Sequence, residues 1–214
     1  MRSNEIERYK KTLLLSDLQR EVLIGTLLGD GHLETQNRGR TYRLKIEHIA
    51  WQKEYTDWLY QIFQEWVLTS PQEKIQIIEN LPRKKYWFST ISHGAFRFYA
   101  QQFYKEKRKV LPKLMQKWLS PLVMAVWFMD DGSIKSKHHR ALILNSQCFT
   151  KEENLKLIET IQKKFGITMS LRPQRNLYQL YIGKDSVQKF VDLIQPYVLP
   201  SMRYKLGKLG NTIA

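Results

Sequence analysis

One feature constrains the fold more than any other: an apolar helical stretch ending in Asp-Gly occurs twice, in matching surroundings. The first opens at Ser16-Asp17-Leu18-Gln19, where Ser followed three residues later by Gln is a capping box. It runs through Val22, Leu23, Ile24, Leu27 and Leu28 and stops at Gly29-Asp30-Gly31. The second opens at Ser120-Pro121, with Pro at the first helical position. It runs through Leu122, Val123, Val126, Trp127 and Phe128 and stops at Asp130-Asp131-Gly132. The two Asp-Gly pairs lie 101 residues apart in a chain of 214.

The duplication extends beyond the motifs. Each stop precedes a basic turn, a strand-like run (Tyr42–His48, Ala141–Gln147) and a helix (Gln52–Glu65, Lys151–Phe165). A further strand follows in each half (Lys85–Ile91, Leu177–Ile182), then a last helix (Gly94–Tyr104, Ser186–Tyr197). This order predicts an α+β fold of two pseudo-symmetric halves, 1–108 and 109–214, joined within residues 105–119. The tryptophans Trp51, Trp58, Trp66, Trp87, Trp118 and Trp127 are expected in the core.

Charge limits the partner. Lys and Arg number 35 against 20 Asp and Glu, a formal net charge of +15, which implies a polyanion, usually nucleic acid. The longest apolar run, Leu122–Met129, is too short to span a bilayer. The N-terminus carries no apolar signal region, and the single Cys148 excludes an intramolecular disulfide. A reducing compartment, the bacterial cytoplasm or an organellar matrix or stroma, is the expected location.

Helices apolar around most of their circumference are buried. Two such helices from related halves are expected to pack together. Gly25 and Gly29, one helical turn apart, permit a close approach, and Asp30 and Asp131 then emerge at one end. Paired carboxylates raise each other's pKa. Mg²⁺, which takes hard oxygen ligands and keeps open water positions, relieves that conflict and can activate water at a phosphodiester. Paired acids on a basic chain therefore predict a metal-dependent nuclease.

The segments Leu23–Gly31 and Met124–Gly132 resemble the two motifs of the LAGLIDADG homing endonucleases, in the single-chain branch often encoded within group I introns. The ending Pro200–Leu206 is similar too. The resemblance implies two αββαββα halves, motif helices at a central interface, and antiparallel sheets forming a saddle over DNA. It implies a monomer acting on a long asymmetric double-stranded DNA target. It places the metal-binding acids at Asp30 and Asp131, with backbone carbonyls of Gly29 and Asp130 also offered. The implied cofactor is two or three Mg²⁺ ions, with Mn²⁺ or Ca²⁺ able to substitute for binding. It further implies that His48 and Gln147 organise solvent and that Lys109 and Lys205 offset phosphate charge. In the first motif Leu28 stands where the family name has Asp. In the second, Val126 and Asp130 stand where small residues are usual.

Strand alternation puts Arg43, Lys45 and Glu47 on one face, suited to base edges in a major groove. Arg38, Arg40, Lys135, Lys137, His138 and Arg140 in the turns, and Arg83, Lys84, Lys85, Arg172 and Arg175 in later strands, are further DNA-binding candidates. Two other functions suit the same scaffold: an intron RNA maturase and a non-catalytic DNA-binding regulator.

Overall fold

A computed structural model describes residues 3–106, 108–136 and 139–211. Lys137 and His138 lie outside the described residues. The chain forms two compact units, Met1–Leu23 with Gly31–Ala100, and Ile24–Asp30 with Gln101–Ala214.

The first unit begins with α1 (Ser3–Lys10) and the start of α2 (Asp17–Leu28). The expected capping box is present: Ser16 Oγ accepts from Gln19 N at 3.2 Å, and Gln19 Oε1 accepts from Ser16 N at 3.0 Å. Buried Gln19 also donates to Ile62 O at 2.8 Å, which fixes the entry of α2 against the end of α3. Strands β1 (His32–Glu34) and β2 (Arg43–Ile49), then α3 (Lys53–Ile62), β3 (Gln72–Ile78), β4 (Leu81–Ser89) and α4 (Arg97–Phe103) follow. The sheet is antiparallel in the order β1-β2-β4-β3. Leu44, Ile46, His48, Tyr86 and Phe88 occupy its buried face, covered by Tyr55 and Leu59 of α3. The opposite face carries Arg43, Lys45 and Glu47, as alternation requires.

The second unit holds the end of α2, then β5 (Tyr104–Lys105), β6 (Arg108–Lys109), α5 (Met115–Trp118) and α6 (Pro121–Asp131). Ser120 Oγ caps α6 by accepting from Val123 N at 3.1 Å, with Pro121 in its first turn. Strands β7 (Gly132–Ser136) and β8 (His139–Leu144), α7 (Lys151–Phe165), β9 (Ser170–Gln174), β10 (Leu177–Ile182) and α8 (Lys184–Ile194) complete the repeat. Their sheet order, β7-β8-β10-β9, repeats that of the first unit element for element. Helical turns over Pro200–Asn211, broken at Gly207, close the described chain.

The observed elements depart from the expected ones in a few places. The second strand-like run ends at Leu144, so Gln147 lies in the turn beyond it. The join contains a small hairpin and a short helix. Strands β3 and β9 lack strong apolar alternation, and the sequence did not announce them. Trp66 and Trp127 are fully buried as expected, but Trp51 is 61% exposed. Its position just after β2 puts it past the cover of the core helices.

Candidate active site at the ends of two motif helices

All eight residues from Val123 to Asp130 in α6 are buried, and Ile24 to Gly29 in α2 are buried with them. Glycine on one helix meets bulk on the other. A Cβ added at Gly25 would fall 2.6 Å from Val126 Cβ, and one at Gly29 would fall 2.4 Å from Asp130 Cβ. Both contacts are far inside van der Waals range, so the backbones approach only because these positions are glycine. The large residues of the second motif are thus accommodated by the first.

This packing assigns the adjacent acids. The Asp130 side chain is buried and its Oδ2 accepts from Asp30 N at 3.1 Å. It satisfies a backbone donor just past the end of α2. Asp131, the last residue of α6, has its main-chain oxygen held by Asn145 through both N and Nδ2, each at 3.0 Å. Its carboxyl is pushed up to about 8, chiefly by burial and then by the negative charges of Asp30 and Asp130. Asp30 is exposed. Asp130 thus binds the backbone at the end of α2, while Asp131 carries the raised carboxyl beside Asp30.

Two lysines meet these helix ends at equivalent points. Lys109 Nζ donates to Gly29 O at 2.8 Å. Lys205 Nζ donates to Met129 O and Asp130 O, each at 2.5 Å. A cation at a helix C-terminus is favoured by the unpaired carbonyls and the macrodipole there. Burial pulls the Lys205 ammonium down, against the upward pull of Asp130, Asp30 and Asp131. The carbonyls of Gly29 and Asp130, expected as metal donors, are thus engaged by lysine ammonium groups.

Each lysine is anchored. Lys109 sits on the β5–β6 hairpin, where Val110 N donates to Phe103 O at 2.8 Å. Glu153 holds the same segment: Oε1 accepts from Leu111 N at 3.1 Å and Oε2 pairs with Arg108 at 3.4 Å. Glu153 also completes the capping box of α7 with Thr150. Lys205 lies between Met202 and Leu206, both buried. Glu153 and Asn145 escaped sequence reading. The Thr150-x-x-Glu153 spacing signalled a capping box, and Asn145 is the first polar residue after an apolar strand.

His48 belongs to the first unit, buried, with its Nδ1 2.9 Å from Thr56 Oγ1. Gln147 belongs to the second unit, where Nε2 donates to Asn145 Oδ1 at 3.3 Å. Arg38 and Arg40 are exposed on a turn held by Thr35 and Asn37, and Arg38 adopts positive φ (58°). Glu47 pairs with Lys74 at 2.6 Å. Arg83 and Lys85 share the phase of Trp87 on the open face, whereas Lys84 shares the phase of Tyr86 and Phe88. In the second sheet, Arg172 stacks on Tyr181 at 3.6 Å and Lys135 lies 5.5 Å from the same ring. Arg175 occupies the β9–β10 turn with positive φ (56°). Arg140 shares the phase of buried Leu142 and Leu144, so it does not join the open face; it contacts Gln188 of α8 at 3.5 Å.

Two repeated helix–sheet halves, with motif helices ending in paired acids and lysines, define a two-motif nucleic-acid enzyme scaffold. The chain belongs to the LAGLIDADG DNA endonuclease family, whose model matches residues 20–190. It is 32% identical over 213 residues to "Probable intron-encoded endonuclease 1" of Wickerhamomyces canadensis, covering 95% of this chain and 90% of that protein. It is likewise 32% identical over 193 residues to "Cytochrome b mRNA maturase bI2" of Debaryomyces hansenii, covering 87% and 72%. Among solved structures, the homing endonuclease I-WcaI bound to its DNA recognition sequence superposes with a TM-score of 0.90 at 29% identity, covering 96% of this chain and 93% of that one. No helix among the described residues is long and apolar enough to cross a membrane.

Proposed function

We propose that this chain is a site-specific, divalent-metal-dependent endonuclease that cuts double-stranded DNA as a monomer, each half (1–108 and 109–214) supplying one motif acid. The observation that carries this reading is the pairing of Asp30 and Asp131 at the ends of closely packed motif helices, each end also met by a lysine. A divalent cation fits this donor set. Both side chains offer hard oxygens, and the Asp131 carboxyl is crowded by neighbouring negative charge that a cation would neutralise. Held by Asp30 and Asp131, Mg²⁺ would supply an activated water and stabilise the leaving oxygen.

The protein groups do the rest. Lys109 and Lys205 place positive charge beside the acids, where a phosphodiester gains negative charge as it is attacked. Asp130 and Asn145 hold the backbone on either side of the acid pair, so the carboxylates are set before substrate arrives. The open sheet faces carry Arg43, Lys45, Lys85 and Arg172 toward DNA. An enzyme of this kind encoded in an intron has the uninterrupted allele of its host gene as its target.

The test is cleavage of a plasmid carrying the uninterrupted host-gene site in Mg²⁺. Asp30→Asn and Asp131→Asn should each reduce cutting by about a thousandfold, roughly 4 kcal/mol of transition-state stabilisation, while DNA binding in Ca²⁺ persists. Cutting that survives both substitutions overturns the mechanism. A second reading, intron RNA maturase activity, is favoured by the maturase relative from Debaryomyces hansenii. Splicing rescue by the doubly substituted protein would establish it independently of cutting. A location in the cytoplasm or an organelle, wherever such an intron resides, accords with either reading.

A further inference from the structure

The open face of the first sheet holds a charge cluster that the cutting chemistry does not use. Glu34 and Arg43 are direct cross-strand partners on β1 and β2. Both Nε and Nη2 of Arg43 donate to Glu34 Oε2, at 3.0 and 2.8 Å. Lys45 Nζ donates to Glu34 Oε1 at 3.3 Å, and His32 Nε2 lies 3.0 Å from the same atom. One carboxylate thus gathers three basic side chains on a face meant for a polyanion.

A site built only to grip phosphate gains nothing from a carboxylate in its midst, because the carboxylate repels phosphate. A site built to read a base does gain. An arginine has five N–H donors in a rigid fork. Glu34 engages one edge, Nε and one N–H of Nη2, which leaves the Nη1/Nη2 edge pointing away from it. Guanine presents two acceptors, O6 and N7, that match such an edge. Adenine offers one acceptor beside a donor, thymine one acceptor beside a methyl group, and cytosine a donor. Holding the fork in advance also reduces the side-chain entropy lost on binding.

The second sheet is an internal contrast. Its four strands contain no Asp or Glu, and Arg172 is supported by the face of Tyr181 instead. A guanidinium on an aromatic ring keeps all its donors available in several directions, which suits phosphate as well as bases.

We propose that Glu34 is a specificity-determining positioning residue, clamping Arg43 so that its outer edge reads a guanine in the major groove. This rests on the DNA-binding reading above, and the experiment separates the two. Selection from a randomised duplex library is carried out with the wild-type chain, Glu34→Gln and Arg43→Lys, with folding checked by thermal melting. The wild type should favour guanine at one position by at least about tenfold, the usual worth of a bidentate contact. Glu34→Gln should reduce that preference below about threefold while the other positions keep theirs, and Arg43→Lys should abolish it at the same position. The proposal is overturned if Glu34→Gln preserves the guanine preference, or if all positions weaken evenly. It is overturned equally if Arg43→Lys, with Glu34 intact, keeps the preference. Should the wild type enrich no sequence at all, the DNA-binding reading falls and the clamp with it.

Discussion

The two sheets have the same strand order, but the open face of the first adds carboxylates to the aromatic support that cations find on both. In β1–β4, cations are tied to carboxylates: Arg43 and Lys45 to Glu34, Lys74 to Glu47. In β7–β10, the cations Arg172 and Lys135 lie against an aromatic ring. The motif helices differ in the same complementary way, glycine at 25 and 29 against valine and aspartate at 126 and 130. A duplicated fold therefore keeps its backbone plan and divides its side-chain labour. One half supplies space and fixed cations. The other supplies bulk, a buried acid and cations set against a ring without a carboxylate.

The largest effect should come from disturbing the helix contact. Gly29→Ala places a methyl group into the Asp130 side chain and should destabilise the protein by about 2–4 kcal/mol in a denaturant titration. Asp130→Ala removes the acceptor for Asp30 N and should cost about 1–2 kcal/mol. Equal losses would show that the glycine and aspartate sides are not complementary as described.

The acids of the two halves should respond to pH in opposite senses. Asp131 has a folded pKa raised from 3.8 to about 8, so it binds its proton more tightly folded than unfolded. In chelator, its contribution to stability is greatest below pH 3.8 and is lost as pH rises through 8. Asp131→Asn should therefore melt above the wild type at pH 8, by about 1–3 kcal/mol of stability, with the gap shrinking toward pH 4. A constant gap would dismiss the crowded carboxyl.

Glu34 is the reverse case. Burial alone would raise its carboxyl, but Arg43, His32 and Lys45 together lower it from 4.5 to about 2. Its contribution is present above pH 4.5 and lost as pH falls through 2. Glu34→Gln should cost about 1 kcal/mol at pH 7 and little at pH 2, as measured by acid unfolding.

The smallest effect concerns the second sheet. Arg172→Ala should weaken binding evenly across sequences and reduce the slope of log affinity against log salt by about 1. A change confined to one base position would make the second sheet a reader like the first.

Much of this was legible because the duplication was legible. Ser16, Ser120 and the Asp-Gly stops marked both motif helices, and apolar periodicity placed α3 and α7. Strands β3 and β9 were silent because their residues lie largely exposed and need not alternate. Phase alone favours Asp131 in the sequence, but the contact of Asp130 with Asp30 N was not legible there, because it joins residues 100 positions apart. The faces of Lys84 and Arg140 were not legible because a basic run gives no register; the hydrogen-bonded partner strand sets it. Glu34 was overlooked because a lone acid on a three-residue strand carries no pattern until its cross-strand neighbours are known.

The glycine–bulk pairing at the motif helices has a consequence for how such chains can be recombined. Gly25 with Val126, and Gly29 with Asp130, form matched sets split between two halves of one gene. A chimera taking its second motif from a protein with small residues at both points would join glycine to small and leave a hollow seam. One taking its first motif from a protein with larger residues there would jam. The natural unit of exchange is therefore the pair of motif helices, inherited together, while the sheets can be traded separately to change what is read.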